Sequence, residues 1–292
     1  MAVRPRRSAL YMPGSNARAL EKAKTLAADV VIFDLEDAVA PDAKELAREQ
    51  VMAAVAGGGY GDRELVIRIN GLDTPWGEED LAKAVAAAPN AILIPKVSTV
   101  SQLTEVGKRL SSAPEAIQVW AMIETPLAIL NLREIAAAAR DPSTRLSCFV
   151  LGTNDLAKET RADLVENRSA ALYWLSATVT AARAYSIDVL DGVYNAFRDI
   201  EGFRRECLQG RQLGMDGKTL IHPDQIGPAN EIFSPTAEEV EWARKILAAF
   251  SEPQNQGKGA INIDGRMVER LHAEMARRTV ELAEAIATRE RP

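Results

Sequence analysis

VWAMIETPLAILNLREIAAAARDPSTRLSCFVLGTNDLAKE, residues 119–159, holds two successive copies of one pattern. VWAMI (119–123) and LSCFVLG (146–152) are short, almost wholly apolar runs, as expected of strands buried on both faces. LAILNLREIAAAAR (127–140), between them, has helical period. Each run ends on polar residues: Glu124 after the first, and Thr153, Asn154 and Asp155 after the second. The same alternation continues in both directions. Upstream lie SALYM (8–12), VVIFDL (30–35), LVIRI (65–69) and AILIP (91–95), and downstream IDVLDG (187–192) and GKTLI (217–221). Helical segments at 16–28, 43–56, 78–88 and 201–213 separate them. Eight strand–helix units favour a closed (β/α)₈ TIM barrel over an open doubly wound sheet, and no GxGxxG opens a helix to argue for a dinucleotide fold.

The pattern changes after residue 234. Ser234-Pro235 is a fitting N-cap and first-turn pair for a helix to about Phe250. A flexible SEPQNQGKGAINIDGR stretch follows, and then a last helix from about Met267. The expected organisation is a barrel over residues 1–234, with the active site at its C-terminal strand ends, and a helical lid or oligomerisation arm over 235–292.

The 292 residues are 47% hydrophobic and 26% charged, the make-up of an ordinary globular protein. The net charge of −6 argues against a nucleic-acid or membrane partner, since either requires a broad basic face. No apolar run approaches the roughly 18 residues of a membrane span and the start lacks a secretory signal, so a cytoplasmic location is expected. Cys148 and Cys207 have no metal-ligand spacing and read as buried thiols. One island departs from the acidic balance: Arg4, Arg6, Arg7, Arg18, Lys22 and Lys24 surround the single acid Glu21. It suits a phosphorylated ligand, or else is a solvated terminus and helix face.

In a (β/α)₈ barrel the chemistry sits at the C-terminal strand ends. Here those ends carry Tyr11, Asp34/Glu36/Asp37, Arg68, Lys96, Glu124, Thr153/Asn154/Asp155, Asp191 and His222, a ring that a purely structural barrel does not need. Oxygen ligands without His or Cys favour a hard cation, and two carboxylates are what Mg²⁺ usually takes. Glu124 and Asp155 fit that role best; the alternative is a buried ion pair with Lys96 or Arg68. Glu36 and Asp37 are each open to service as a base, a partner of a ligand or a helix N-terminal acid. Arg68 has the planar fork that grips a carboxylate, or it pairs with the acids of the second strand. His222 offers a neutral imidazole or a backbone contact, and His272 a solvated helix face.

The runs RRSALYMPGSNARALEKA (6–23), VIFDLEDAVAPD (31–42), VIRINGLDTPWG (66–77), ILIPKV (92–97), MIET (122–125), LGTNDLAKE (151–159), DGVYNAFRD (191–199), DGKTLIHPDQ (216–225) and GKGAINIDGRMVE (257–269) closely resemble the citrate lyase β-subunit and malyl-CoA lyase family, in order and spacing. The resemblance implies a barrel enzyme acting on a small-molecule acyl-CoA, with coenzyme A part of the substrate. It makes Glu124 and Asp155 the ligands of Mg²⁺, with Mn²⁺ possible, and brings Arg68 and Glu124 to the substrate. Tyr11, Lys22, Ile221 and His222 match coenzyme A contacts. Asn16 stands where malyl-CoA lyases carry arginine, which passes the phosphate contact to Arg18. The resemblance also implies a homotrimer or hexamer whose C-terminal arm closes over an active site and contributes an acid. That acid is aspartate in the lyases and falls on Glu269 here, with Asp264 as a substitute; apart from the resemblance, Asp37 at the second strand end is a further catalytic candidate. One extra methylene moves a proton donor by about an ångström, enough to cost roughly a hundredfold in rate.

The wording of GTNDLAKE, DGVYNAFRD and GKTLIHP looks most like the (3S)-malyl-CoA thioesterase branch, so the expected reaction is hydrolysis to malate and coenzyme A. The alternatives are a lyase releasing an oxo acid from malyl-, β-methylmalyl-, citramalyl- or citryl thioesters, and a non-autonomous subunit serving an acyl-carrier protein.

Overall fold

The computed structural model describes residues 3–165 and 167–290. Eight parallel strands, each hydrogen-bonded to the next and β8 to β1, close a barrel: β1 Ser8–Pro13, β2 Val30–Asp34, β3 Glu64–Arg68, β4 Ala91–Ile94, β5 Gln118–Ile123, β6 Leu146–Leu151, β7 Asp188–Asp191 and β8 Gly217–Leu220. The expected (β/α)₈ barrel is the observed fold, each strand within a residue or so of its expected bounds. The outer helices are α1 Ala17–Ala23, α2 Lys44–Gly57, α3 Gly77–Ala87, α4 Val100–Arg109, α5 Pro126–Leu130, α6 Leu132–Ala137, α7 Thr153–Thr160, α8 Leu172–Ala184, α9 Ile200–Leu213 and α10 Ile226–Phe233. The strands read as continuous apolar runs because both faces are covered. Ile32, Leu93, Trp120, Met122, Cys148 and Val150 fill the inside, while Phe33, Ile92 and Phe149 are equally buried.

Two helices differ from the sequence reading. The segment 127–140 is not one helix: it breaks at Asn131, whose side-chain amide donates to Ser98 O at 2.9 Å, and ends in a 3₁₀ turn. The first helix stops at Ala23, beyond which Thr25 Oγ1 donates back to Lys22 O at 2.9 Å. The Thr25 bond is local and competes with helix continuation, whereas the Asn131 bond is a tertiary one.

The chain divides into two compact units, Arg6–Glu231 and the segment from Ile232 onward joined by residues up to Pro5. The second unit contains α11 (Ala237–Ser251), a hairpin of β9 (Ala260–Ile263) and β10 (Arg266–Glu269), and α12 (Arg270–Arg289). They share a small core of Ala243, Ile246, Ile261, Ile263, Val268 and Ala276. Thr236, not Ser234, caps α11, in a capping box with Glu239: Thr236 Oγ1 accepts from Glu239 N, and Glu239 Oε2 from Thr236 N at 2.7 Å. The stretch expected to be flexible holds the hairpin, so Met267 lies in a strand and the last helix begins three residues later. Among the described residues, no helix is long and apolar enough to cross a membrane.

Folding divides the basic island, committing part of it to ion pairs and leaving Arg18 and Lys22 open. Arg6 donates to Glu64 at 2.8 Å and to Asp188 at 2.6 Å, and its guanidinium lies 4.7 Å from the Trp120 ring centroid. Glu64 and Asp188 begin their strands, so this network closes the N-terminal end of the barrel. Arg7 is paired with Asp29, and Lys24 with Glu21. Arg18 and Lys22 stay exposed on α1.

Candidate active site

Asp34, the last residue of β2, and Arg68, the last of β3, are register partners. Their side chains meet in a bidentate pair, Nε to Oδ1 and Nη2 to Oδ2, both 2.6 Å. Burial works against Asp34 ionising, but Arg68 and the amides of Glu36 and Ala38 hold it below its ordinary value. Of the two openings left for Arg68, the structure takes the pairing with strand-two acids: the fork is spent on Asp34. Nη1 reaches Asp37 at 3.1 Å and Glu36 at 3.0 Å, and the guanidinium lies 4.8 Å from the Tyr11 ring centroid. Tyr11 is thus placed inside the barrel beneath Arg68, and burial pushes its phenol up.

Glu124 follows β5 directly and is 1% exposed. Its Oε1 accepts the backbone N–H of Lys96 at 2.7 Å, while the Lys96 ammonium bonds Glu36 instead. The rest of its carboxylate lies over Gly152, where a Cβ would come within 2.5 Å of Oε2 and 2.3 Å of the Glu124 Cβ. Glycine after β6 is therefore a condition for this glutamate. Burial first, then the charge of Glu36 and to a lesser degree that of Asp155, pushes Glu124 up to about 7; the Lys96 amide and Arg68 only partly offset them. Glu36 is raised as well, chiefly by burial, against the pull of Arg68 and Lys96. Asp155 sits half-buried in the first turn of α7.

Five carboxylates, Asp34, Glu36, Asp37, Glu124 and Asp155, thus surround three cations, Arg68, Lys96 and Lys44. With every group ionised the acids outnumber the cations by two, and the upward shifts of Glu124 and Glu36 reflect that crowding as well as burial. Glu36 Oε2 is buried and makes no hydrogen bond, its approach to Arg68 being a charge contact out of alignment. All-oxygen donors, a buried oxygen lacking a hydrogen bond and a carboxylate raised by its neighbours fit a hard divalent cation. Among the described residues no cluster of three or more His, Cys, Asp or Glu is arranged to hold an ion alone. Mg²⁺ habitually takes one or two carboxylates and leaves its other positions to water and substrate oxygens.

The remaining site candidates are distributed unevenly. Asp191 leaves the ring of polar strand ends: it is fully buried on the outer side of the strand, between Lys218 at 2.9 Å and Arg168 at 2.8 Å. Ile221 is exposed, and the His222 ring stacks on Phe197 with centroids 4.7 Å apart while Nδ1 accepts from Asp224 N. In the second unit, Asp264 occupies the hairpin turn with positive φ and pairs with Lys245. Glu269 ends β10, half-buried, where its N–H donates to His272 Nδ1 at 2.9 Å. His272 is thus part of a helix start rather than only a solvated face. Sequence reading missed the reciprocal amide pair between Asn154 and Asn195, at 2.8 and 3.2 Å, which ties the turn carrying Asp155 to the loop after β7. Neither residue type nor spacing signals such a pair.

Residues 7–223 match the profile of the HpcH/HpaI aldolase/citrate lyase family. The chain belongs to that family. A (3S)-malyl-CoA thioesterase of Cereibacter sphaeroides is 48% identical over 283 residues, 97% of this chain and 96% of that protein. The citrate lyase subunit beta of Leuconostoc mesenteroides subsp. cremoris is 36% identical over 97% of this chain and 94% of its own. Among solved structures, CitE from Mycobacterium tuberculosis in complex with magnesium, acetoacetate and coenzyme A superposes with a TM-score of 0.76 at 29% identity, covering 95% of this chain and 97% of that one.

Proposed function

We propose that the protein is an Mg²⁺-dependent enzyme that hydrolyses (3S)-malyl-CoA to malate and coenzyme A. The observation that carries this reading is the carboxylate cluster around Glu124, whose acids outnumber its cations by two, in a family member that matches a (3S)-malyl-CoA thioesterase end to end. Glu124 and Asp155 hold the ion. When bound, Mg²⁺ supplies positive charge to the substrate's carboxylate and hydroxyl oxygens and to the negative charge that develops on its carbonyl oxygen. Arg68, fixed by Asp34, adds charge from the barrel side without having to reorganise. Asp37, its side chain 60% exposed beside Arg68, is placed to take a proton from an attacking water. Water oxygen bonds to the thioester carbon, the carbon–sulfur bond breaks, and the thiol of coenzyme A leaves with a proton. Tyr11, Arg18, Lys22, Ile221 and His222 are assigned to the coenzyme A portion.

The C-terminal unit is assigned as a lid or arm in a homotrimer or hexamer, supplying Glu269, or Asp264 in its place, as proton donor. Supporting it are the exposed apolar side chains of Leu271 and Met275, four residues apart on α12, with exposed Met267 on the strand before it. Exposed apolar patches of this kind mark protein contacts.

The second reading, carbon–carbon cleavage to an oxo acid and a short acyl-CoA, is favoured by the 36% identity with a citrate lyase subunit. One assay separates the two. Purified protein with Mg²⁺ and malyl-CoA is followed for free thiol and for an oxo acid trapped with phenylhydrazine. Thiol without oxo acid supports hydrolysis; oxo acid formed before any thiol replaces it with the lyase. Turnover of free acyl-CoA also excludes dependence on an acyl-carrier protein.

A further inference from the structure

The backbone at Lys96 is left-handed, with φ of 51°. A lysine there bears a steric cost that glycine escapes. The conformation is fixed from both sides: the N–H donates to Glu124 Oε1 at 2.7 Å, and the carbonyl accepts from Ser98 Oγ at 3.2 Å and Gln102 Nε2 at 3.3 Å. Glycine would supply the same amide at lower cost, so what lysine adds is its side chain. Strain kept at a site of this kind points from the outlier to a function.

The three cations facing the carboxylate cluster differ in what they can still bind. Lys44 is buried and spends all three protons, on Leu35 O, Glu36 O and Asn70 Oδ1. Arg68 is buried with its fork on Asp34. Lys96 is open: its side chain is 49% exposed, and its ammonium makes one contact, 2.7 Å to Glu36 Oε1, leaving two donors uncommitted. A divalent cation that takes one oxygen of an incoming carboxylate leaves the other oxygen for a free donor beside it.

We propose that Lys96 is the receptor for a free carboxylate on the acyl portion of the substrate, held in place by the same strained turn that aims its amide at Glu124. The proposal rests on the reading of the ligand as a carboxylate-bearing acyl thioester and adds Lys96 to the divalent cation as a partner of that carboxylate.

The test uses succinyl-CoA and butyryl-CoA, which differ by carboxylate for methyl and carry no hydroxyl at which a carbon–carbon bond could break. Binding of each is measured by calorimetry with Mg²⁺ for the wild type and for Lys96→Gly, which relaxes the backbone and removes the ammonium. Mn²⁺ affinity, read by electron paramagnetic resonance, reports whether the Glu124 region is intact. The wild type is expected to favour succinyl-CoA at least tenfold, as befits a charge-assisted hydrogen bond. In Lys96→Gly that preference falls at least threefold while Mn²⁺ and butyryl-CoA affinities stay within threefold. A wild type with no preference, a variant that keeps it, or a variant losing Mn²⁺ and both thioesters together would each overturn the proposal. Failure of the malyl-CoA reading shows separately, as a wild type that prefers succinyl-CoA yet releases neither thiol nor oxo acid from malyl-CoA.

Discussion

Glu124→Gln should make the metal-free protein more stable at alkaline pH. Glu124 is 1% exposed and its carboxyl is raised to about 7, burial being the first cause and Glu36 the second. In the unfolded chain it titrates near the ordinary 4.5. Between those values the folded protein binds the extra proton, so stability falls as pH rises. The contribution is fully present below about 4.5 and is lost as pH passes about 7. At ~1.4 kcal/mol per tenfold change in proton affinity, the ionised carboxylate costs the metal-free protein on the order of 3 kcal/mol at pH 8. Glutamine mimics the protonated form, and its carbonyl oxygen can still accept the Lys96 amide. For a chain of this size that corresponds to a melting temperature higher by roughly 5–10 °C at pH 8 in EDTA. The assay is thermal unfolding of both proteins in EDTA from pH 5 to 8.5, reading the difference between them, since Glu36 titrates in both. The gap should narrow steadily from pH 7 downward, by more than half at pH 5.5, and keep shrinking toward pH 5. Added Mg²⁺ should reverse the order at pH 8, because binding to the native state alone stabilises the wild type. A variant no more stable than wild type at pH 8, or a gap that does not change with pH, refutes the argument that crowded carboxylates strain this site.

EDTA is expected to abolish thiol release from malyl-CoA and Mg²⁺ to restore it; full turnover in chelator would remove the metal from the reaction. Gly152→Ala should cost at least a hundredfold in kcat/KM with the barrel still folded by circular dichroism, because a Cβ there meets the Glu124 side chain at 2.3 Å. Wild-type kinetics in that variant would mean Glu124 is free to turn away without consequence. Glu269→Gln should lower kcat at least tenfold with little change in melting temperature, and unchanged turnover would end its role as proton donor. Mixing Glu269→Gln with Glu124→Gln subunits after dissociation and reassembly should restore about a quarter of wild-type activity if the arm serves a neighbour's site; no recovery would place the acid in its own subunit or nowhere.

The barrel was legible because its signal is local and doubled. VVIFD, AILI and LSCFVL are apolar on both faces, as parallel strands wrapped by helices must be. Helix ends were less so. Asn131 breaks the helical run because its amide bonds Ser98, thirty-three positions away, which no window on the sequence contains. Likewise Thr236 takes the cap from Ser234 through a bond with Glu239 that competes with an equally plausible local pair.

Charge was the least legible property, because the meaning of a charged residue lies in its partner. Arg6 and Arg7 looked like part of a phosphate site and are spent inside the molecule on Glu64, Asp188 and Asp29. Asp191 looked like one more member of the catalytic ring, yet Lys218 and Arg168 neutralise it behind the strand. Glu124 is the opposite case. Its neighbours by position are a lysine and an arginine, but one offers only a backbone amide and the other is held by Asp34. A buried carboxylate left in that condition is only partly compensated within the chain, and a proton or an outside cation supplies the rest. That shortfall, more than the spacing that first drew attention to Glu124 and Asp155, is what ties this end of the barrel to a divalent cation.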